Sequence, residues 1–413
     1  MSLIHPFAAL RPAPGYAAQV AAPPYDVLNG AEARARASGK PWNFLHVSRA
    51  EIDLPPQTNP HDPVVYAKAA ENFSRMLQEC VLVRDPQPCY YVYRLTMGEH
   101  VQTGLVAVAS VQDYESNRIR RHELTRPDKE DDRVRQIQAL NAQTGPVLLA
   151  YPSHEEVDAL LAQTSNGTPE LDVTADDGVR HALWVIRDSK IIARLTHAFD
   201  AMPALYIADG HHRSAAAARV AAARRPAEPR AGGRASCDYF LSVIFPHHQM
   251  RILDYNRVVR DLNGLEPEQF LERVRRNFSV QENAGPVQPS RPGEFGCYLA
   301  HRWYRLQIRP ELRETADPVA RLDVSLLATH LIEPVLGIRD PRRDPRIDFV
   351  GGIRGLAELG RRVDGGEMAV AFSLFPTRME ELMAVADAGL MMPPKSTWFE
   401  PKLADGLVSY VLD

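Results

Sequence analysis

Several features are scarce or missing in this chain of 413 residues, and each absence excludes a class of protein. The four cysteines are scattered and form no Cys-x-x-Cys pair, so we expect neither a zinc knuckle nor a dithiol site. No run approaches the ~18 uninterrupted apolar residues of a membrane span, so we expect no membrane partner. The formal net charge of −4 provides no overall basic field, which argues against a nucleic-acid partner.

Three common catalytic motifs are also missing: the Walker A loop, the Gly-x-Gly-x-x-Gly dinucleotide fingerprint and the Gly-x-Ser-x-Gly hydrolase elbow. A glycine-rich turn at residues 351–355 matches none of them. This turn either approaches a ligand closely or permits tight packing. The first ten residues lack a basic segment followed by an apolar run, so we expect no signal peptide. The expected location is therefore the cytoplasm, with reduced thiols.

The sequence contains enough apolar residues for a large core, at 45% hydrophobic and 24% charged residues. A chain of this length is ordinarily divided into two or more domains. Residues 282–293 are rich in proline, glycine and glutamine, so we place a first part at residues 1–281 and a second at residues 294–413. Helical and strand patterns occur in both parts, which predicts an α+β, or mixed α/β, fold.

One stretch, residues 204–222, organises the rest of the chain. The apolar run from residue 204 to 208 predicts a buried strand, and Asp209 and Gly210 end it. From Ser214 onward the chain is almost all alanine, which predicts a helix packed closely against its neighbours. A strand, a glycine turn and a helix therefore follow one another directly.

The first turn of this helix contains His211, His212 and Arg213. A helix N-terminus has unpaired N–H groups and a partial positive charge, so it attracts anions, and the three side chains add to that field. We therefore predict a phosphate site here. Asp209 either caps the helix, holds a metal or accepts a proton. The alternative is a capped helix with a surface arginine and two partly buried histidines.

A highly charged segment begins near His122 and Glu123. Residues 129–133 predict a solvated helix with ion pairs between positions four apart. The residues before that helix, from His122 to Arg126, are candidates for a site, because Glu123 with its neighbouring histidine can supply a base or a metal ligand. The alternative is that the whole segment is solvated and structural.

Three further segments place polar groups in constrained turns. Residues 141–146, which include Asn141, Gln143 and Thr144, form a polar turn before an apolar strand, and they suit either ligand orientation or ordinary turn chemistry. Asp26 follows a rigid proline elbow and has either a site role or caps a helix that begins near residue 31. In residues 393–397 two prolines hold Lys395, Ser396 and Thr397, a set that suits phosphate.

These segments resemble a known family. The run from Asp209 to Arg213, followed by an alanine-rich helix, resembles the phosphate-binding signature of the ParB/sulfiredoxin-like superfamily. The stretches from Pro23-Pro24-Tyr25-Asp26-Val27 to residues 393–399 resemble the DUF1015 proteins, so the resemblance covers nearly the whole chain. It implies a ParB/sulfiredoxin-like core with large insertions, completed by a C-terminal α/β part. Sulfiredoxin chemistry needs a cysteine in this signature, where the chain has histidines.

The resemblance also implies an activity. The wider superfamily includes nucleotide-dependent kinases of free L-serine, so the implied reaction is phosphoryl transfer from ATP or ADP, with Mg²⁺, to give O-phospho-L-serine. A nucleotide or phosphoester hydrolase and a non-catalytic nucleotide-binding regulator remain the alternatives. The partners of the implied kinase are a nucleotide and a small-molecule substrate, and a homo-oligomer is compatible with it.

The candidate residues fall into four groups, and we expect them to converge on one cleft. The catalytic candidates are Asp209, Glu123 and Asp26. The metal candidates are Asp209 and Glu123. The nucleotide-binding candidates are Gly210, His211, His212, Arg213, Ser214, Lys395, Ser396 and Thr397. The substrate-binding candidates are Asn141, Gln143, Thr144, His122 and Arg126.

Overall fold

The computed structural model describes residues 2–225 and 235–413. The chain divides into two compact units, of which the first comprises Met1–Met250 and Pro401–Asp413 and the second comprises Arg251–Glu400. Both units contain helices and mixed or antiparallel sheets, which confirms the predicted α+β class. The segment predicted to separate two parts, residues 282–293, lies inside the second unit.

The strands within the described residues are β1 (Ile4–His5), β2 (Leu10–Pro12), β3 (Leu82–Arg84), β4 (Tyr90–Met97), β5 (His100–Ser110), β6 (Ile119–Arg120), β7 (Ala142–Gln143), β8 (Val147–Tyr151), β9 (Leu171–Thr174), β10 (Arg180–Ile186), β11 (Leu205–Asp209), β12 (Tyr239–Pro246), β13 (Arg251–Leu253), β14 (Tyr255–Val259), β15 (Phe278–Asn283), β16 (Glu294–Leu299), β17 (Arg302–Ile308), β18 (Ile347–Gly351), β19 (Val370–Leu374), β20 (Trp398–Glu400) and β21 (Tyr410–Val411).

The α-helices within the same residues are α1 (Ala17–Val20), α2 (Gly30–Ala37), α3 (Leu45–Ser48), α4 (Pro63–Gln78), α5 (Val111–Glu115), α6 (Pro127–Leu140), α7 (Glu155–Thr164), α8 (Ser189–Ala201), α9 (His211–Arg224), α10 (Pro267–Val274), α11 (Asp323–Leu327), α12 (Glu333–Leu336), α13 (Gly355–Asp364) and α14 (Met379–Asp387).

The main sheet of the first unit has the order β6-β11-β8-β12-β5-β4-β10-β9, and β1 pairs with β5. Strand β11 runs antiparallel to β8, with Asp209 opposite Leu148. The end of β11 therefore lies beside the start of β8 and the polar turn that precedes it. Strand β6 runs parallel to β11, so the residues after Arg120 leave the sheet at the same end. The topology thus gathers three of the predicted segments at one end of the sheet.

Helix α9 packs closely, as its alanine content predicts. Ala216, Ala217, Val220 and Ala221 are almost completely buried, and the helix packs against α5 and α6. Ala217 and Ala221 belong to the same apolar cluster as residues of the sheet. Small side chains allow this close approach, and a residue with a longer side chain would have to displace its neighbours.

The second unit contains an antiparallel sheet of order β15-β17-β16-β19-β14-β18 and the separate pair β13 and β20. Its glycine-rich turn is a packing feature. A Cβ atom on Gly351 would lie 2.9 Å from the Trp398 ring, and one on Gly352 would lie 2.3 Å from the Asp254 carboxylate. Of the two alternatives for residues 351–355, the structure therefore supports tight packing.

We predict that Gly406→Ala destabilises the protein much more than Gly15→Ala. Both glycines have φ of +87°, so both variants incur the same left-handed backbone cost. A Cβ on Gly406 would lie 2.7 Å from the Phe44 ring, whereas a Cβ on Gly15 meets nothing within 4 Å. The clash should add about 1–3 kcal/mol to the loss in unfolding free energy, measured by denaturant titration. An equal loss of unfolding free energy in both variants would show that the Phe44 ring can move to make room for the added methyl group.

Candidate functional site

The N-terminus of α9 is a helix end without a side-chain cap. Gly210 occupies the cap position with φ of +94°, and a glycine has no side chain that could accept a capping hydrogen bond from the first turn. Asp209 does not cap the helix, because its Oδ1 atom accepts a hydrogen bond from the N–H of Gly210 at 2.8 Å. The capping role considered for Asp209 is therefore wrong, and the positive end of the helix dipole is available to an anion.

Asp209 forms an ion pair that sequence reasoning missed. Its Oδ2 atom lies 3.0 Å from Nζ of Lys402, which belongs to the C-terminal segment of the first unit. Partial burial opposes ionisation of Asp209, but the charges of Lys402 and Arg213 outweigh it and hold the pKa of the carboxyl well below its usual range. Asp209 is therefore ionised at neutral pH.

Arg213 is the buried cation of the site. Its side chain is 14% exposed, and Nη2 lies 3.7 Å from Oδ1 of Asp26. Nη1 donates to the carbonyl oxygen of Pro146 at 2.8 Å. Burial alone would lower the pKa of Arg213, yet the carboxyl groups of Asp26 and Asp405 raise it above its ordinary value. The guanidinium is therefore a permanent charge in a largely dry position.

The ring of Tyr25 contacts two guanidinium groups. Arg133 lies 3.8 Å from the ring centroid and Arg213 lies 5.4 Å from it. The neighbouring Asp26 is half-exposed. It does not cap α2, because Asn29 accepts a hydrogen bond from the N–H of Glu32 at 2.9 Å as part of a capping box. The helix-cap alternative for Asp26 is thus wrong. Its carboxylate instead lies near the guanidinium of Arg213.

His122, Glu123 and His211 form a compact cluster whose potential ligand atoms lie within 4.8 Å of one another. The two histidine rings are buried and 4.4 Å apart, and Nδ1 of His211 lies 3.8 Å from Oε2 of Glu123. Neither ring nitrogen of His122 makes a hydrogen bond of good geometry within the described residues. Burial lowers the pKa of His122 to about 4, so the ring is neutral at pH 7.

The hydrogen bonding of His211 indicates that its Nδ1 atom donates a proton and does not bind a metal. The main-chain N–H of His122 points to Nε2 of His211 at 3.4 Å, so Nε2 is the unprotonated nitrogen. Nδ1 then holds the proton and faces Glu123. A metal at this nitrogen would require the other tautomer, and nitrogen ligands suit Zn²⁺ better than Mg²⁺.

The segment from His122 to Arg126 is fastened to α9. Nε2 of His212 accepts a hydrogen bond from the main-chain N–H of Arg126 at 3.1 Å, whereas the Arg126 side chain is exposed and paired with Asp128. Ser214 is buried and donates to the carbonyl oxygen of His211 at 3.0 Å. Local hydrogen bonds therefore account for two polar residues of the signature, His212 and Ser214.

Two residues of the polar turn are engaged by the protein itself. Asn141 ends α6 with φ of +48°, donates its amide to Leu412 and accepts from Arg224 at 2.8 Å. The amide of Gln143 bonds the main chain of β12 at both its nitrogen and its oxygen, each at 2.9 Å. Their roles in substrate binding stay predictions.

A small cavity of about 30 Å³ lies beside Arg213, and Thr144 and Gly145 form part of its wall. Asp405 also lines it and is 2% exposed. Burial raises the pKa of Asp405 to about 7 even though Arg213 acts to lower it. Asp405 could not be selected from the sequence, because it is far from Arg213 along the chain and only the fold brings the two residues close together.

Lys395, Ser396 and Thr397 lie in the second unit. Their turn is constrained, as the flanking prolines predict. Lys395 has φ of +57°, and its carbonyl oxygen accepts a hydrogen bond from Nη2 of the buried Arg257 at 3.0 Å. Ser396 donates to the carbonyl oxygen of Pro393 at 2.6 Å. Phosphate binding by these residues stays a prediction.

Residues 4–325 match the sequence model of a family described as "Protein of unknown function (DUF1015)". This chain belongs to the DUF1015 family. No curated protein sequence is similar enough to this chain to count as a relative.

Three solved structures are similar to this DUF1015 protein at low identity. A free serine kinase variant in complex with AMP is 13% identical, with 71% of this chain and 87% of that one covered and a TM-score of 0.36. A conserved hypothetical protein from Pyrococcus furiosus is 15% identical, with coverages of 73% and 93% and a TM-score of 0.34. SbnI from Staphylococcus aureus, truncated at its C-terminus, is 12% identical, with coverages of 73% and 85% and a TM-score of 0.37.

Within the first unit of this DUF1015 protein, several predicted segments contact the turn from Asp209 to Arg213. Asp26 and the carbonyl of Pro146 contact Arg213, and the main chain of Arg126 contacts the side chain of His212. Whether Lys395 joins this cluster stays a prediction. Every helix of the described residues is too short or too polar to cross a membrane.

We predict that the free energy of unfolding of His122→Gln depends less on pH between about 4 and 6.5 than that of the wild type. The pKa of His122 falls from 6.5 in the unfolded chain to about 4 in the folded protein. Between these values only the unfolded state takes up the proton, so this residue's contribution is complete above pH 6.5 and is lost as the pH falls towards 4. The variant should remove up to about 3 kcal/mol of that change in unfolding free energy.

The control for this variant is His197→Gln, an exposed position on α8. Denaturant titrations at several pH values between 4 and 7 give the slopes. The His197 variant retains His122 and should therefore retain that residue's contribution to the slope. An unchanged slope in the His122 variant would show that this ring is protonated as readily in the folded protein as in the unfolded chain.

Proposed function

We propose that this DUF1015 protein is a nucleotide-dependent kinase of a small hydroxyl compound, with free L-serine as the first acceptor to test. The observation that supports this most is the uncapped N-terminus of α9, with Arg213 and Lys402 both at the Asp209 turn. Phosphoryl transfer depends mainly on positioning and on cations that neutralise phosphate charge. L-Serine itself is suggested by the family resemblance of the sequence.

The phosphates of ATP or ADP would bind at the turn from Asp209 to Arg213. There the helix dipole favours anions, and the main-chain N–H groups of His211 and His212 can donate to phosphate oxygens, whereas that of Arg213 donates to the carbonyl oxygen of Gly210 at 2.8 Å. Arg213 brings a guanidinium that stays charged at any physiological pH. Lys402 brings a flexible ammonium, which is partly exposed and bound to Asp209. The two cations proposed to bind the phosphates are thus a buried one, Arg213, and a partly exposed one, Lys402.

Mg²⁺ would be held by Asp209 and Glu123, whose carboxylate oxygens are the ligands that this ion prefers. Both side chains are about half-exposed, at 45% and 56%. The ion would neutralise charge on the nucleotide phosphates when bound. Lys402 occupies one oxygen of Asp209, so nucleotide binding and release of this ammonium would be linked.

The three catalytic candidates differ as bases. The charges of Lys402 and Arg213 hold the pKa of Asp209 low, which makes it a poor acceptor for the proton of a hydroxyl group. Glu123 faces the protonated Nδ1 of His211 and is more than half-exposed. We therefore assign the proton-accepting role to Glu123 if Asp209 alone holds the metal, and to Asp26 if Glu123 is also a metal ligand, because a metal-bound carboxylate is a poor base. In the first case His211 would orient Glu123.

The experiment that tests the function is incubation of the protein with Mg²⁺, ATP or ADP and a panel of free amino acids and small alcohols, followed by mass spectrometry. A phosphorylated acceptor is the expected result. Inorganic phosphate released without regard to acceptor would indicate a hydrolase. An intact nucleotide in every reaction, together with measurable binding, would indicate a regulator, and both results would contradict the kinase.

We predict that Arg213→Ala weakens nucleotide binding by at least about tenfold, which corresponds to the ~1.5–3 kcal/mol of a charge-assisted hydrogen bond. Calorimetric titration with ADP measures the affinity. The matched control is Arg219→Ala on the same helix, because Arg219 is exposed and paired with Asp131 at 2.7 Å. The control should bind ADP as the wild type does. Wild-type affinity in the Arg213 variant, or weakening that only follows a loss of fold in thermal denaturation, would contradict the assignment.

A further inference from the structure

The small cavity beside Arg213 contains polar atoms without partners. Oδ1 of Asp405 and Oγ of Ser48 are both buried and make no hydrogen bond within the described residues. Both residues line the cavity, together with the hydroxyl-bearing Thr144. A buried polar group without a hydrogen-bond partner is energetically unfavourable. Oxygen atoms left in this way indicate an occupant that donates hydrogen bonds.

The charged residues that line the cavity are Arg133, Arg213 and Asp405. Arg133 pairs with Asp132 at 2.5 Å, and Arg213 lies 3.7 Å from Asp26. Asp405 interacts with these groups but has no ion pair of its own within the described residues. Each guanidinium group that lines the cavity thus has another carboxylate as its partner, so an ionised Asp405 has no cation of its own within the described residues. A single positive charge on a ligand would provide the missing ion-pair partner of Asp405.

The cavity adjoins the predicted phosphate site. A Cβ atom on Gly145 would lie 3.3 Å from Nε of Arg213 and 3.5 Å from Oδ1 of Asp405. A larger residue at position 145 would therefore crowd the gap between the two groups. Arg213 thus borders both the cavity and the turn from Asp209 to Arg213, where the nucleotide phosphates are proposed to bind.

We propose that this cavity is an ammonium subsite for the acceptor, in which Asp405 and Ser48 bind a primary amine of the small molecule. A primary ammonium has three N–H donors and about the size of a water molecule, which suits a cavity of about 30 Å³. The carboxyl group of Asp405 and the hydroxyl-bearing residues Tyr25, Ser48 and Thr144 line this cavity beside the guanidinium groups of Arg133 and Arg213. The inference rests on the proposed kinase, whose acceptor it defines as an amino alcohol or a hydroxy amino acid.

The test is calorimetric titration of wild-type protein and Asp405→Asn, in the presence of ADP and Mg²⁺, with four acceptors. L-Serine and ethanolamine contain an amine and a hydroxyl group, whereas 3-hydroxypropionate and glycolate contain a hydroxyl group and a carboxylate but no amine. We expect wild-type protein to bind both amines, and D405N to weaken them at least tenfold. Binding of the two hydroxy acids and of ADP should change less than twofold.

Ser48→Ala provides a second variant that leaves the charge in place, and it should weaken the amines by a smaller factor. Asn at position 405 retains the main-chain hydrogen bonds with Ala22, and thermal denaturation checks that the fold is intact. The inference is overturned if hydroxy acids bind wild-type protein as well as the amines do, if D405N weakens both classes equally, or if neither amine binds. Amine binding without any phosphorylated product would refute the kinase alone.

Discussion

The site of the first unit depends on keeping one guanidinium charged away from water. Arg213 contacts the carboxylate of Asp26 and the ring of Tyr25, which both belong to the proline elbow, and the carbonyl of Pro146, which belongs to the polar turn. A buried charge without such partners would be very unfavourable. The requirement therefore holds the proline elbow, the polar turn and the start of α9 in one place.

Sheet topology provides the positions that these electrostatics need. The end of β11 lies beside the start of β8, and β6 leaves the sheet at the same end. Polar residues that follow or precede these strands therefore meet without any long loop having to cross the sheet. The alanines of α9 let the helix lie close to the strands, which brings its positive end to the same edge.

The sequence was informative where the physics is local. A strand, a glycine turn and a closely packed alanine helix could be predicted at residues 204–222, and so could the charged helix α6, because periodicity and turn chemistry act over a few residues. Lys402 and Asp405 could not be selected in the same way. They are almost two hundred residues from Arg213 in sequence, and only the fold makes them neighbours. The role of Asp209 as a cap was wrong because Gly210 takes that position.

The first unit is discontinuous, since Pro401–Asp413 belongs to it and Arg251–Glu400 is inserted within it. This connectivity sets an order of events during synthesis on the ribosome. The sheet, α9 and the histidine cluster are all encoded before residue 251 and can fold while translation continues. The ammonium of Lys402 and the carboxyl of Asp405 arrive only after the whole inserted unit has been made. Until then, Asp209 lacks the ammonium of Lys402, so a nascent chain would hold an incomplete site.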